Sequence, residues 1–166
     1  MFRPAMEPLP DRWDHVEDFP LLQMTAVRNQ GSNECDFRAV SVLGLADLGD
    51  MIDLVTLTEP GPLGPRTPEL GTYVGVRQGG RLLAMGGERM RVPGYVELSA
   101  ICTASDARGR GHAALLVRYL MQLASDRSEI PFLHVAAENK PAIALYEKLG
   151  FRVRKVLHVL RRRYRG

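Results

Sequence analysis

Apolar positions recur in two rhythms along this chain, every second residue in some stretches and every third or fourth in others. Residues 19–27 are apolar enough for a first strand, and residues 37–43 alternate like a half-buried one. With Asn29-Gln30-Gly31-Ser32-Asn33 between them, a turn by composition, the two are expected to form a hairpin. The rhythm then changes: Leu45, Leu48, Ile52, Val55 and Leu57 fall on or near one helical face, with Asp47, Asp50 and Asp53 off it, which predicts a helix over 45–57. Residues 72–77 and 81–88 read as strands around Gln78-Gly79-Gly80, where glycine permits positive φ. Arg91-Val92-Pro93-Gly94 turns the chain into a third strand, 95–103, completing an antiparallel meander over 72–103.

Beyond the meander, residues 113–124 carry Leu116, Leu120 and Leu123 at helical spacing, and 132–136 form a short apolar run. This strand, helix, strand order implies a parallel crossover that sets 132–136 beside 96–103. Asn139 is placed to cap a further helix and Gly150 to stop it; residues 151–153 and 156–160 then finish the sheet. Two stretches resist regular structure. Residues 1–20 hold four prolines around Trp13 and read as an extended arm or a short surface helix, leaving 21–166 as one domain. Residues 59–70 hold four prolines and two glycines, a loop long enough to shape substrate choice as well as to connect. The expected fold class is α/β (α+β): a mixed, mostly antiparallel central sheet with helices on both faces.

Composition narrows the function classes. With 166 residues, 45% hydrophobic and 25% charged, the chain buries roughly two-thirds of its unfolded surface as a single domain. The net charge is only +3, and its densest cluster, Arg161-Arg162-Arg163-Tyr164-Arg165, is accompanied by no known nucleic-acid module; a solvated strand end is expected, not a nucleic-acid surface. Cys35 and Cys102 make neither a metal pattern nor a disulfide framework, so reduced thiols are expected. No apolar run reaches spanning length, so a cytoplasmic protein without membrane partners is expected. His15, His112, His134 and His158 are too scattered for a metal site.

The chemistry concentrates in residues 95–113. An apolar run containing one carboxylate passes through a short polar turn into Arg108-Gly109-Arg110-Gly111, then into a helical stretch. Glycines at 109 and 111 let a ligand approach the backbone, and the first helical turn leaves N–H groups without internal acceptors. With the helix dipole and two arginines, the loop suits a diphosphate. Arg108-x-x-Gly111-x-Ala113 resembles the [RQ]-x-x-G-x-[GA] pyrophosphate loop of the GNAT superfamily, the acyl-CoA-dependent N-acyltransferases. The run from Asn139 to Phe151 is similar to that superfamily's N-x-x-A-x-x-x-Y-x-x-x-G-F segment, and the likeness covers about residues 70–160. Leu57-Thr58-Glu59-Pro60-Gly61-Pro62 together with Gly94-Tyr95-x-Glu97-Leu98-Ser99 looks closest to the branch related to glycine N-acyltransferases.

The resemblance implies an acyl-CoA N-acyltransferase domain over 21–166 with a splayed parallel strand pair, acetyl-CoA as donor and no metal. The acceptor is a small-molecule or peptide amine, no nucleic acid is engaged, and a homodimer is compatible with it. Freeing an alkylammonium's lone pair at pH 7 costs about 4.6 kcal/mol, so the reaction wants a base beside the amine and an acid for the thiolate. Glu97, eleven residues before Arg108, matches the family's base glutamate, and its apolar neighbours would raise its basicity; a salt-bridged carboxylate, a water chain or Glu88 are the alternatives. Tyr146 matches the tyrosine that protonates the leaving thiolate, against a tyrosine that only packs. The resemblance gives Arg108, Gly109, Arg110, Gly111, His112 and Ala113 the phosphates, and Ile101, Cys102 and Thr103 the pantetheine through their backbone. Asn139 can bond the same arm while capping its helix. His112 serves through its amide, its ring facing solvent or nucleotide. The Cys102 thiol reads as a small buried group, since nothing is placed to activate it, so direct transfer in a ternary complex is expected.

Two rivals share parts of this pattern. Gly109-x-Gly111-x-x-Ala114 also fits a dinucleotide fingerprint, but only 52 residues follow Ala114, too few for the remaining crossovers of a hydride-transfer enzyme. A non-catalytic acyl-CoA sensor would keep the loop and need neither Glu97 nor Tyr146.

Overall fold

The computed structural model describes residues 2–3, 12–27, 35–61 and 63–165. In chain order these form β1 (Phe2–Arg3), β2 (Trp13–Ala26), β3 (Val40–Leu43), α1 (Leu48–Thr58), β4 (Tyr73–Gln78), β5 (Arg81–Val92), β6 (Tyr95–Thr103), α2 (His112–Asp126), β7 (Ile130–Ala136), α3 (Lys140–Lys148) and β8 (Phe151–Tyr164). Short 3-10 turns occupy Leu45–Asp47, Thr67–Leu70 and Ser105–Ala107. The chain divides into two compact units, residues 27–132 and residues 1–26 with 133–166.

In the unit of residues 27–132, β3 pairs with β4, β4 with β5 and β5 with β6, all antiparallel. The meander is therefore present, with β5 running on to Val92 so that only Pro93 and Gly94 remain in its second turn. At the first turn Gly79 and Gly80 sit at φ +57° and +82°, the two positive values that the tightest hairpin connection requires. One face of this sheet carries Tyr73, Met85 and Cys102 against Met51 and Leu54 of α1, with Leu63 and Val55 packed at the edge. On the other face Leu116, Val117, Leu120 and Ala124 of α2 are buried.

Two adjacent glycines make this double covering fit. A Cβ on Gly86 would lie 2.4 Å from the Ile101 Cδ1 and 3.6 Å from Leu120, on the α2 side. A Cβ on Gly87 would lie 2.5 Å from the Tyr73 ring on the other. Gly87→Ala should accordingly cost about 1–3 kcal/mol, the usual size of an overpacking penalty. A urea midpoint within error of the parent would show instead that the Tyr73 ring can step aside.

In the other unit, β2 and β8 pair antiparallel along nearly their whole length, from Trp13 opposite Tyr164 to Ala26 opposite Phe151, and β1 lies on the outer side of β8. Two expectations are corrected here. The hairpin of 19–27 with 37–43 does not form: β2 takes β8 and β3 takes β4. Both strands look alike locally, and hydrophobic alternation carries no information about which strand is the partner; the turn expected at 29–33 lies outside the described residues. The two final strands are one, β8, whose apparent break is a bulge at Arg154, skipped between the pairs Gln23–Lys155 and Met24–Val153. Of the expected arm, Trp13 to Pro20 is the first half of β2, and residues 4–11 lie outside the described residues.

The basic terminus is spent on acids of β2. Arg161 meets Glu17 at 2.7 Å, Arg162 meets Asp18 at 2.6 Å and Arg165 meets Asp14 at 3.1 Å. Arg162 in particular holds the Asp18 carboxyl below the usual carboxylate range. This is the strand end that the composition implied. The helix over 45–57 forms with a different face inward: Met51 and Leu54 are buried, whereas Leu45, Ile52 and Leu57 are exposed. Within α1 the buried positions lie one residue off the stripe that the spacing suggested, on the side that joins the core with Tyr73, Met85 and Cys102.

Candidate active site

The loop before α2 is built from three local devices. The 3-10 turn Ser105–Ala107 ends β6, and Arg81 holds Asp106 with two bonds of 2.7 and 3.0 Å. Gly109 and Gly111 follow at φ +76° and +81°, a region that costs a residue with a Cβ about 1–2 kcal/mol, and the space where a Cβ would sit is open at both. Gly111 is the N-cap of α2, and its carbonyl accepts the Leu115 N–H at 3.0 Å as the helix begins. The amides of His112, Ala113 and Ala114 therefore have no intrahelical acceptor, and the positive end of a 15-residue helix stands behind them. Arg108 reaches back to the Thr103 carbonyl at 3.4 Å, and Arg110 donates to the Asp106 carbonyl at 3.1 Å. Both guanidiniums remain exposed with further donors to give. The donor set fits a diphosphate: several amides without an intrahelical acceptor and two cations, with the nearby Asp106 carboxylate taken up by Arg81.

His112 is half-buried. Its Nε2 atom is enclosed and, among the described residues, without a hydrogen-bond partner. The Thr103 Oγ1 atom is in the same condition.

Glu97 owes its direction to a bulge. Between the pairs Met85–Cys102 and Gly87–Ser99, β5 advances two residues while β6 advances three, and Ala100 takes φ +53°. A non-glycine residue held in that region is strained, and here the extra residue reverses the alternation of β6. Ser99 and Glu97 thereby fall on the face of Gly87, Tyr73 and α1, while Ile101 points to the face of Leu120. Glu97 is 1% exposed. Both its oxygens are held by a single fork, Arg89 Nε to Oε2 at 2.9 Å and Arg89 Nη2 to Oε1 at 2.7 Å. Glu97 in turn pushes the Arg89 guanidinium further up, against the opposing effect of its burial. Tyr73 lies close enough to feel both charges, and burial raises its phenol.

Glu88 sits on the opposite face. It is 2% exposed and accepts from Arg127 at Oε1, from Arg91 at Oε2 over 3.1 Å and from the Thr72 amide at 3.3 Å. Glu129 joins the network, bound by Arg91 and Arg127 at 2.8 Å each. Through Arg127, Glu88 ties the residue that follows α2 to β5, and through the Thr72 amide it ties the start of β4.

The Cys102 thiol is buried among α1-face side chains, and desolvation pushes it up, so it is a packed group and no nucleophile. In the unit of residues 1–26 with 133–166, the Asn139 Oδ1 accepts the Ala142 amide at 3.2 Å and caps α3, as expected. Tyr146, on α3, is buried edge-to-face against Phe151 with ring centroids 6.0 Å apart. His134 meets Gln23 at 3.1 Å. Among the described residues no three His, Cys, Asp or Glu side chains gather to hold a metal ion, and no helix is long and apolar enough to cross a membrane.

Arg89 and Tyr73 were not singled out from the sequence. Arg89 carried a usable signal, since it follows Gly87 by two and so shares its face; Tyr73 carried none, because its role depends on a bulge encoded by an ordinary alanine.

Comparison with known proteins follows the same residues. The FR47-like family model matches residues 73–160, just over half of the chain. YobR of Bacillus subtilis, described as an uncharacterized N-acetyltransferase, is 34% identical over 87 residues, 52% of this chain and 35% of that protein. The chain thus matches about a third of the length of that curated relative. A solved structure of a GNAT-family protein from Novosphingobium aromaticivorans is 39% identical, with a TM-score of 0.93 over 99% of this chain and 73% of its own. The ribosomal-protein-S18-alanine N-acetyltransferase of Escherichia coli, at 22% identity, shares the fold alone, with a TM-score of 0.61 over 73% of this chain and 92% of its own.

Proposed function

Because the chain belongs to the GNAT family of acetyltransferases, we propose that it moves the acetyl group of acetyl-CoA to a primary amine by direct attack in a ternary complex. The mixed, mostly antiparallel α/β fold is the family's. The observation that carries the reading is the loop 108–113, where two left-handed glycines open the backbone at the mouth of α2. Acetyl-CoA supplies the activated acetyl group and a thiolate leaving group. The loop's amides and arginines bind its phosphates, and backbone groups of Ile101, Cys102 and Thr103 align the pantetheine; Asn139 is a further candidate to bond that arm.

Glu97 takes the proton of the incoming amine. The Arg89 fork holds both its oxygens and fixes its orientation. Glu88 is the poorer base: three donors already occupy it, on the other face of the sheet. Tyr146 returns a proton to the departing thiolate. Leu63, from the proline-rich loop 59–70, packs on the face that bears Glu97, which supports that loop as a determinant of the acceptor. The acceptor class favoured is a small-molecule amine.

Thiol release from acetyl-CoA in the presence of a panel of primary amines tests the reading. A transferase releases thiol only with a subset of amines; a sensor binds the thioester and releases none. Glu97→Gln should lower kcat by about 10²–10⁴ while the Kd for acetyl-CoA stays within a factor of two or so. An unchanged kcat in that variant would remove Glu97 from the mechanism.

A further inference from the structure

We propose that Arg89 determines which amine is acetylated by taking a carboxylate on the acceptor, so that the acceptor is an α-amino acid. This deepens the reading above, since it rests on Glu97 being the base. Arg89 meets Glu97 side-on, Nε donating to Oε2 at 2.9 Å and Nη2 to Oε1 at 2.7 Å. A guanidinium also has an end-on fork, formed by Nη1 with the second N–H of Nη2. Glu97 leaves that fork unspent. It too presents a pair of parallel N–H groups, the arrangement that binds a carboxylate through both oxygens.

Exposure decides what can use it. The Glu97 side chain is 1% exposed and that of Arg89 21%. Among the described residues Arg89 has no partner besides Glu97, and its Nη1 is not one of the enclosed polar atoms. Acids of the α1 segment do not take the fork: Asp47 and Asp50 are bound by Arg77, and Asp53 and Glu59 are exposed. The guanidinium is thus the accessible end of the pair, and an amine bound for Glu97 comes to rest beside a fixed positive charge. A plain alkylammonium is disfavoured there by like-charge repulsion. A peptide N-terminus brings only a neutral amide to the fork. An α-amino acid brings both signs on one carbon, its carboxylate to Arg89 and its amine toward Glu97, so that the two pairs lie side by side with opposite charges facing.

The parent chain supplies the first test. With acetyl-CoA saturating, thiol release is measured for the standard amino acids, and the best of them is compared with its carboxamide and with the amine left when its carboxylate is removed. The acid should be preferred about tenfold to a hundredfold in kcat/KM, the difference lying in the acceptor's KM. Calorimetric titration of the same compounds into the coenzyme A complex reads that preference without turnover. Arg89→Lys keeps a cation against the buried Glu97 carboxylate but has no second fork. In it the preference should shrink to about threefold or less, with the Kd for acetyl-CoA within a factor of two or so of the parent's. A carboxamide used and bound by the parent as well as the acid, or a preference undiminished in Arg89→Lys, overturns the proposal. A fully active Glu97→Gln overturns the base assignment, whereas the ratio of acid to carboxamide reads only Arg89, so the two failures are distinct.

Discussion

Gly111→Val is expected to raise the Kd for acetyl-CoA about a hundredfold, roughly 2.8 kcal/mol, with the far-UV spectrum unchanged. Two effects add. Valine at φ +81° is strained, and the cheapest relief is to rotate the peptide that precedes α2, which turns the amides of 111 and 112 away from their common focus. A branched side chain also occupies the open space through which a phosphate reaches the backbone. Among the described residues none beyond its chain neighbours lies within 4 Å of that space, so the cost is confined to the loop's own backbone. Calorimetric titration decides it, and a Kd within threefold of the parent's would mean that the loop is not the phosphate seat.

Glu88→Gln is expected to be the most damaging substitution for stability, about 3 kcal/mol or more, equivalent to roughly 10 °C in Tm. A carboxylate at 2% exposure is tolerated because Arg127, Arg91 and the Thr72 amide surround it. The amide carries no charge and presents one acceptor in place of two, leaving Arg127 and Arg91 to share Glu129 alone. Against a typical stability of about 5–15 kcal/mol the loss is a large fraction. Acetyl-CoA affinity at 10 °C, where the variant remains folded, should be near that of the parent. A fall in Tm below about 2 °C would show that the network is a surface pairing that water can replace.

The chain discloses local devices better than partners. Gly79-Gly80, Asn139 and Gly109-x-Gly111 each act through the backbone next to them, and each is where its residue type demands. The pairing of β2 with β8 joins residues well over a hundred positions apart, and period-two alternation says only that a strand has two faces. The inward side of α1 follows a related rule: it is set by the sheet residues that Met51 and Leu54 join in the core, which the helical spacing alone does not name.

The Glu97 environment shows the limit most clearly. From composition it looked like a carboxylate among apolar neighbours. The Ala100 bulge instead turns it onto the face of Arg89, whose side chain supplies two donors and fixes its orientation. Alanine has no preference for positive φ, so the bulge is imposed by the pairing of β5 with β6 and leaves no mark in the residue type.

Backbone amides at the mouth of α2 gripping a diphosphate are the centre of this account, and amide NMR reads them directly. On titrating coenzyme A into nitrogen-15-labelled protein, the resonances of Gly109, Gly111, His112 and Ala113 should move most, and in the direction of stronger hydrogen bonding. Saturable binding that leaves those four amides unmoved would contradict it.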